Sequence, residues 1–337
     1  MSRIYLDHAA TSPLRPEARA AMEKGFAMWA NPSSPHAEGR RARAALEDAR
    51  ERCKAALGWQ GELIFTSGAS EAARLAFDDA VVSTRALSGV EHDAIYGFVA
   101  SRGAQELGLV DGCLALRADI ASRSLVAVQQ VNSETGTRQD IETIAKVVHG
   151  RYGSLFVDCA QSAGKLAVPA MADMVIVAAH KFGGPIGIGA LLVRDFAMLK
   201  PAGGHERGYR RGTENLPGAM GMAAALEAGD WATSPEQRSA FVAGFGDSVL
   251  RMGQQVDYIV PLTHASMSAQ ALLIRLDALG FAVSAGSACS SGSLKPSRVL
   301  KAFGLDDDTA RRTIRVSLGW NTTAAELDAF AQAWASL

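Results

Sequence analysis

The chain has 337 residues, 48% of them hydrophobic, enough to bury a large core and, on length, about two domains. Lys+Arg 34 against Asp+Glu 35 leaves a formal net charge of −1, so no basic stripe invites nucleic acid. No apolar run approaches a membrane span and residues 1–8 are too short and polar for a signal peptide. The four scattered cysteines (Cys53, Cys113, Cys159, Cys289), with no CxxC pair, predict reduced thiols in a cytoplasm, not a disulfide frame or zinc cage.

Apolar periodicity predicts amphipathic helices over 15–29 and 36–57, rich in Ala, Glu and Arg. Asn31-Pro32-Ser33-Ser34-Pro35 between them must be irregular, because two prolines break the period. Short apolar runs then alternate with helical stretches. A strand at 62–65 precedes a helix from Ser70, and a strand at 124–128 precedes a helix from about Ile141. Further strands fall at 154–157, 174–177 and 190–193. This alternation predicts an α/β fold with a mainly parallel sheet. A helix over 216–228 leads out of that unit. Beyond the polar stretch 231–238 come a helix, a short strand at 258–260, the Cys289 segment and a last helix from about Ala324, read as a smaller α+β domain.

Ligands of open α/β sheets bind outside the carboxyl ends of the strands, and four predicted strands end in distinctive polar residues. Thr66-Ser67-Gly68-Ala69-Ser70 opens a helix, where it serves either as a simple cap or as an anion cradle of backbone amides. Val131-Asn132-Ser133-Glu134-Thr135-Gly136 follows the second run. Asp158 ends the third, as a helix cap or as a functional acid. His180-Lys181 ends the fourth, an unusual place for a lysine. Desolvation beside other cations lowers an amine's pKa and suits it to Schiff-base chemistry. An acid, an amine and a phosphate cradle at neighbouring strand ends together suggest pyridoxal phosphate. The run Ser284-Ala285-Gly286-Ser287-Ala288-Cys289-Ser290-Ser291-Gly292-Ser293 has no large apolar side chain. It predicts an accessible loop in which Cys289 is either incidental to a linker or a nucleophile.

In this order the motifs resemble the NifS/IscS-like cysteine desulfurases, class V aminotransferases of fold type I. The resemblance runs through Tyr5-Leu6-Asp7-His8-Ala9-Ala10-Thr11, Asn31-Pro32-Ser33-Ser34, Phe65-Thr66-Ser67-Gly68-Ala69-Ser70-Glu71, Glu91-His92 and Val131-Asn132-Ser133-Glu134-Thr135-Gly136. It continues through Asp158-Cys159-Ala160-Gln161, His180-Lys181, His205-Glu206-Arg207-Gly208, Arg211-Gly212-Thr213-Glu214-Asn215, the Cys289 run and Ile314-Arg315-Val316-Ser317-Leu318-Gly319. It implies a large cofactor domain over 14–230 and a small domain formed by 1–13 with 231–337. The implied enzyme converts L-cysteine to L-alanine and moves the sulfur, as a persulfide on Cys289, to an acceptor protein for iron-sulfur cluster, thio-cofactor or tRNA biosynthesis. A homodimer is also implied.

By the same resemblance Lys181 is the Schiff-base lysine, and His92 lies on the ring face and relays protons. Asp158 pairs with the ring nitrogen and Gln161 with the ring hydroxyl. Ala69, Ser70 and His180 hold the phosphate, Thr213 reaches the phosphate of the other subunit, and Asn132 and Arg315 hold the substrate carboxylate. The competing readings are a selenocysteine lyase or another class V lyase or transaminase, and a degenerate homologue acting as a binding subunit. Four features depart from the family pattern. Ala178 stands where a phosphate-binding serine is usual, a loss on the order of 1.5–3 kcal/mol. Arg74 stands for a common Asn, Trp320 stands for a common Arg, and the chain is shortened around 256–268.

Overall fold

The computed structural model describes residues 3–115, 120–285 and 297–337, so Cys289 lies outside the described residues. Seven strands form the main sheet in the order Glu62–Thr66, Gly189–Val193, Met174–Ala178, Ser154–Asp158, Ser124–Gln129, Thr84–Ser88, Gln105–Leu107. Gly189–Val193 runs antiparallel to both of its neighbours, and the pairs beyond it are parallel. The expected mainly parallel α/β sheet is therefore present.

Side chains alternate across this sheet. Leu155 and Val157 face one core, with the helices Pro16–Met28, Ala37–Leu57, Ile141–His149 and Leu216–Ala228. Phe156 faces the other, with Ala69–Asp79. Burial of both faces explains why these strands read as unbroken apolar runs. The helix bounds follow local signals. His36 caps Ala37–Leu57 by accepting the Gly39 amide, and Gly58 ends it in the left-handed conformation.

A third apolar cluster gathers Phe241, Ile259, Leu272, Ile314 and Phe330 with Leu6 from the N-terminus. Its antiparallel sheet has the order Ile259–Thr263, Thr313–Ser317, Ser284–Ala285. Ile4–Tyr5 pairs in parallel with Phe281–Ala282. Thus the segment before residue 13 packs with the C-terminal part of the chain. Within the shortened stretch the strand Ile259–Thr263 is present, pairing along its whole length with Thr313–Ser317. Sequence patterning missed Thr84–Ser88 and Gln105–Leu107, where Arg, Gln and Glu interrupt the apolar run. No helix among the described residues is long and apolar enough to cross a membrane.

The His205-Glu206-Arg207-Gly208 motif has a structural task. The Glu206 carboxylate is buried against Arg50, whose Nη1 donates to Oε2 at 2.7 Å and to the Leu63 carbonyl at 2.7 Å. The Phe65 amide donates to the same carboxylate at 2.9 Å. The pair ties the helix Ala37–Leu57 and the edge strand Glu62–Thr66 to the loop that leads to Thr213. A buried pair broken on one side leaves an uncompensated charge. Glu206→Ala is therefore expected to lower the unfolding free energy by about 3–5 kcal/mol, read from urea denaturation. Arg50→Met combined with Glu206→Leu should cost less than Glu206→Ala alone.

Candidate active site

The carboxyl ends of the parallel strands, with the start of Gly189–Val193, open onto a cavity of about 360 Å³. It is lined by Ala69, Ser70, His92, Asp158, Gln161, His180 and Lys181, together with Gln129, Ser133, Ala178 and Ile186. Seven of the residues singled out in the sequence therefore meet in one space.

At one end lies the N-terminus of the helix Ala69–Asp79. Its N-cap, Gly68, has φ 152° and offers no side chain to the first amides, so they remain available to an anion. Gly189 lets the loop settle there, since a Cβ at this position would meet the Gly68 Cα at 2.8 Å and the Val177 carbonyl at 2.5 Å. The His180 Nδ1 pairs with the Thr11 hydroxyl at 3.1 Å. Burial, then Lys181 and Lys165, bring its pKa down to about 4, so the ring is neutral at pH 7.

At the other end Asp158 accepts the Ala160 amide on Oδ1 at 2.8 Å; no other hydrogen bond to its carboxylate is found among the described residues. Burial raises its pKa, opposed by the Ala160 amide and by His92 and Lys181. A cation placed beside it would supply a missing counter-charge. Gln161 donates through Nε2 to the Ala9 carbonyl at 2.9 Å, and its buried Oε1 has no donor among the described residues. Lys181, in the 3₁₀ turn Ala179–Lys181, donates to the Ala9 and Ala10 carbonyls at 2.6 and 2.8 Å. The arrangement suits a ligand with an anionic group at the helix, a cationic ring nitrogen at Asp158 and a carbonyl at the amine.

Other candidates stand apart from this cavity. Asn132 is buried. Its Oδ1 accepts from the Glu134 and Thr135 amides and the Thr135 hydroxyl, and its Nδ2 donates to the Val90 carbonyl at 3.2 Å. Arg315 pairs with Asp7 at 2.8 Å and donates to the carbonyl of Ser133, a cavity residue, at 2.9 Å. Its buried Nε has no partner among the described residues. Thr213 is exposed and outside the cavity.

Cys53 and Cys159 are buried, with their thiols pushed up by desolvation, and Cys113 is exposed on a hairpin away from the lining residues. Of the departures from the family pattern, Ala178 lines the cavity, Arg74 is an exposed partner of Asp78, and Trp320 stacks under Arg15 at 4.8 Å.

Two participants were missed in the sequence. Gln129 pairs in register with Asp158 and lines the cavity, one residue beyond the strand that sequence patterning places at 124–128. Glu91, read only as the neighbour of His92, is wholly buried and accepts the Gln129 amide at 2.8 Å. Burial, and then Asp158, hold it well above the usual carboxylate range.

Glu134 gives the site a measurable pH signature. Burial pushes its pKa up to about 7 against the Ser297 hydroxyl and the Arg315 and Arg298 charges. A raised folded pKa gives stability that is present below the unfolded value of 4.5 and lost as pH rises through about 7. The unfolding free energy of the wild type relative to Glu134→Gln should therefore fall by on the order of 1–2 kcal/mol from about pH 4.5 to about pH 8. Urea titrations at the two pH values check this, and a flat difference would contradict it.

The model of the "Aminotransferase class-V" family matches residues 4–95 and 103–240. A "Cysteine desulfurase" of Cereibacter sphaeroides is 36% identical over 363 residues, covering 97% of this chain and 94% of its own. A NifS-like protein from Rickettsia africae superposes with a TM-score of 0.87 at 25% identity, over 99% of both chains. SspA, solved in complex with cysteine, superposes with a TM-score of 0.82 at 30% identity, over 95% of this chain and 100% of its own. Enzymes of this family work with pyridoxal phosphate. The chain belongs to the NifS/IscS-like cysteine desulfurases of the aminotransferase class-V family.

Proposed function

We propose that this chain binds pyridoxal 5'-phosphate in the cavity at the sheet's carboxyl edge and desulfurates L-cysteine to L-alanine. The sulfur passes to Cys289 and then to an acceptor protein. The observation that carries the reading is the meeting of Lys181, Asp158, His92 and Gln161 with the uncapped helix N-terminus in one cavity. When bound, the cofactor supplies an electron sink for the pair left at Cα of the substrate. The helix amides, Ser70 and His180 hold its phosphate. Asp158 would keep the ring nitrogen protonated, and Gln161 would hydrogen-bond the ring hydroxyl oxygen.

Lys181 would hold the cofactor aldehyde, and its amine would move the Cα proton of the substrate. Arg315, beside Ser133, holds the substrate carboxylate, and Asn132 maintains the loop around it. The Cys289 thiolate attacks the substrate sulfur. The new S–S bond forms as the C–S bond breaks, and its electron pair ends, protonated, on the carbon that becomes the alanine methyl. Cys53 and Cys159 are poor rivals, because buried thiols with raised pKa are neither accessible nor ionised.

The working unit is a homodimer in which Thr213 reaches the phosphate of the second copy. Each copy comprises a large domain, 14–230, and a small one, 1–13 with 231–337. The acceptor serves cluster assembly or thiolation of a cofactor or tRNA.

The test is incubation with L-cysteine and a reductant, assaying sulfide and alanine together. The two should appear in equal amounts; selenide from selenocysteine without sulfide from cysteine would point to the lyase reading. Cys289→Ala should keep the yellow cofactor and lose sulfide release, and Lys181→Ala should lose both turnover and the covalent cofactor link, read by mass after borohydride reduction. Ala178→Ser, which restores a hydroxyl to the phosphate end, should tighten cofactor binding about tenfold by spectroscopic titration.

A further inference from the structure

We propose that Arg298 is a positioning residue for His92, acting across the gap between the C-terminal part of the chain and the rim of the cavity; the inference rests on reading that cavity as the pyridoxal phosphate site. Arg298 opens the helix Arg298–Ala302, which immediately follows the segment carrying Cys289. Its guanidinium reaches the far side of the rim. Nη1 donates to the Gly89 carbonyl, and Nη2 donates to the Glu91 carbonyl at 2.6 Å and to the Asp93 carboxylate at 3.1 Å. The guanidinium carbon also lies 3.5 Å from the centroid of the Tyr96 ring.

These contacts grip the chain on both sides of His92. Glu91 is held a second time, because its side chain accepts the Gln129 amide from the strand Ser124–Gln129. The His92 ring is in turn fixed to its own backbone, since Nδ1 accepts the Ala94 amide at 3.1 Å and caps the short helix Asp93–Tyr96. Holding the 89–93 backbone therefore holds the imidazole that walls the cavity.

The helix bearing Arg298 has its own second anchor. The Ser297 hydroxyl donates to Glu134 at 2.6 Å and accepts the Leu300 amide as N-cap. One short helix thus joins the two rim loops, 89–93 and 131–136. Only a planar fork spans two carbonyls and a carboxylate while stacking on a ring, so lysine is a poor replacement.

The experiment uses the full-length holoenzyme with Arg298→Met, Arg298→Lys, His92→Ala and the pair His92→Ala/Arg298→Met. It reads the cofactor dissociation constant and the visible circular dichroism of the bound cofactor. Arg298→Met is expected to weaken binding about tenfold and to alter the dichroism in the same sense as His92→Ala. Arg298→Lys should show most of that loss. The double variant should match His92→Ala alone, because the arginine acts through the histidine. Equal effects of Arg298→Met in both backgrounds, or none in either, would overturn the proposal.

Hydrogen exchange at the amides of residues 92–97 in the cofactor-free protein gives an independent reading. Faster exchange in Arg298→Met and Arg298→Lys supports the assignment, and unchanged protection refutes it. If the wild-type protein takes up no pyridoxal phosphate, the functional reading fails while this exchange result still decides the role of Arg298.

Discussion

An ammonium group in a partly buried place needs oxygen acceptors, and Lys181 finds two in the carbonyls of Ala9 and Ala10. The same Ala9 carbonyl accepts from Gln161. That segment is itself stitched into the smaller sheet, where the Ala9 amide donates to the Ser317 hydroxyl, the Ser317 amide to the Leu6 carbonyl and the Leu6 amide to the Ala282 carbonyl. The amine therefore sits beside the N-terminal segment that Ser317 and Ala282 hold in place. Side chains from two different strand ends are aligned by one carbonyl of a third element. The rest of the site is arranged around this point.

Burial sets the electrostatic character of the cavity and its surroundings. It raises the Asp158, Glu91 and Glu134 carboxyls and lowers the His8 and His180 rings, and in each case desolvation is the largest cause. His8 is held near 3, between the Ser12 and Thr322 hydroxyls, and fills the space over Gly319. Such an environment disfavours unpaired charge, so it favours a ligand that brings its own complementary charges. In the proposed reading, a phosphate at the helix N-terminus and a protonated ring nitrogen at Asp158 would answer both needs. Polar contacts made there gain strength from the low local dielectric.

Motifs that look alike in the sequence divide into those that touch the cavity and those that hold it open. His205-Glu206-Arg207-Gly208 belongs to the second kind: Glu206 is spent on Arg50 and the Phe65 amide. Asn132 also has a structural task, since three donors converge on its Oδ1. Arg298, which no motif singled out, binds two carbonyls beside His92 from the far side of the gap.

The apolar runs and their polar ends by themselves determined the α/β class, five of the seven strands of the main sheet and most of the residues at its carboxyl edge. A strand buried on both faces leaves a run of Leu, Ile and Val in the chain, and Lys181 or Asp158 at its end stands out by contrast. What only the tertiary structure decided is who partners whom. The ion pair of Arg315 with Asp7, the buried Glu91 that accepts the Gln129 amide, the Ala9 carbonyl shared by Lys181 and Gln161 and the grip of Arg298 all join residues far apart along the chain. Local patterning records whether a residue is apolar or polar and at what period. It carries no record of the distant oxygen that will satisfy a buried donor, because that oxygen arrives only when the sheets and loops have packed.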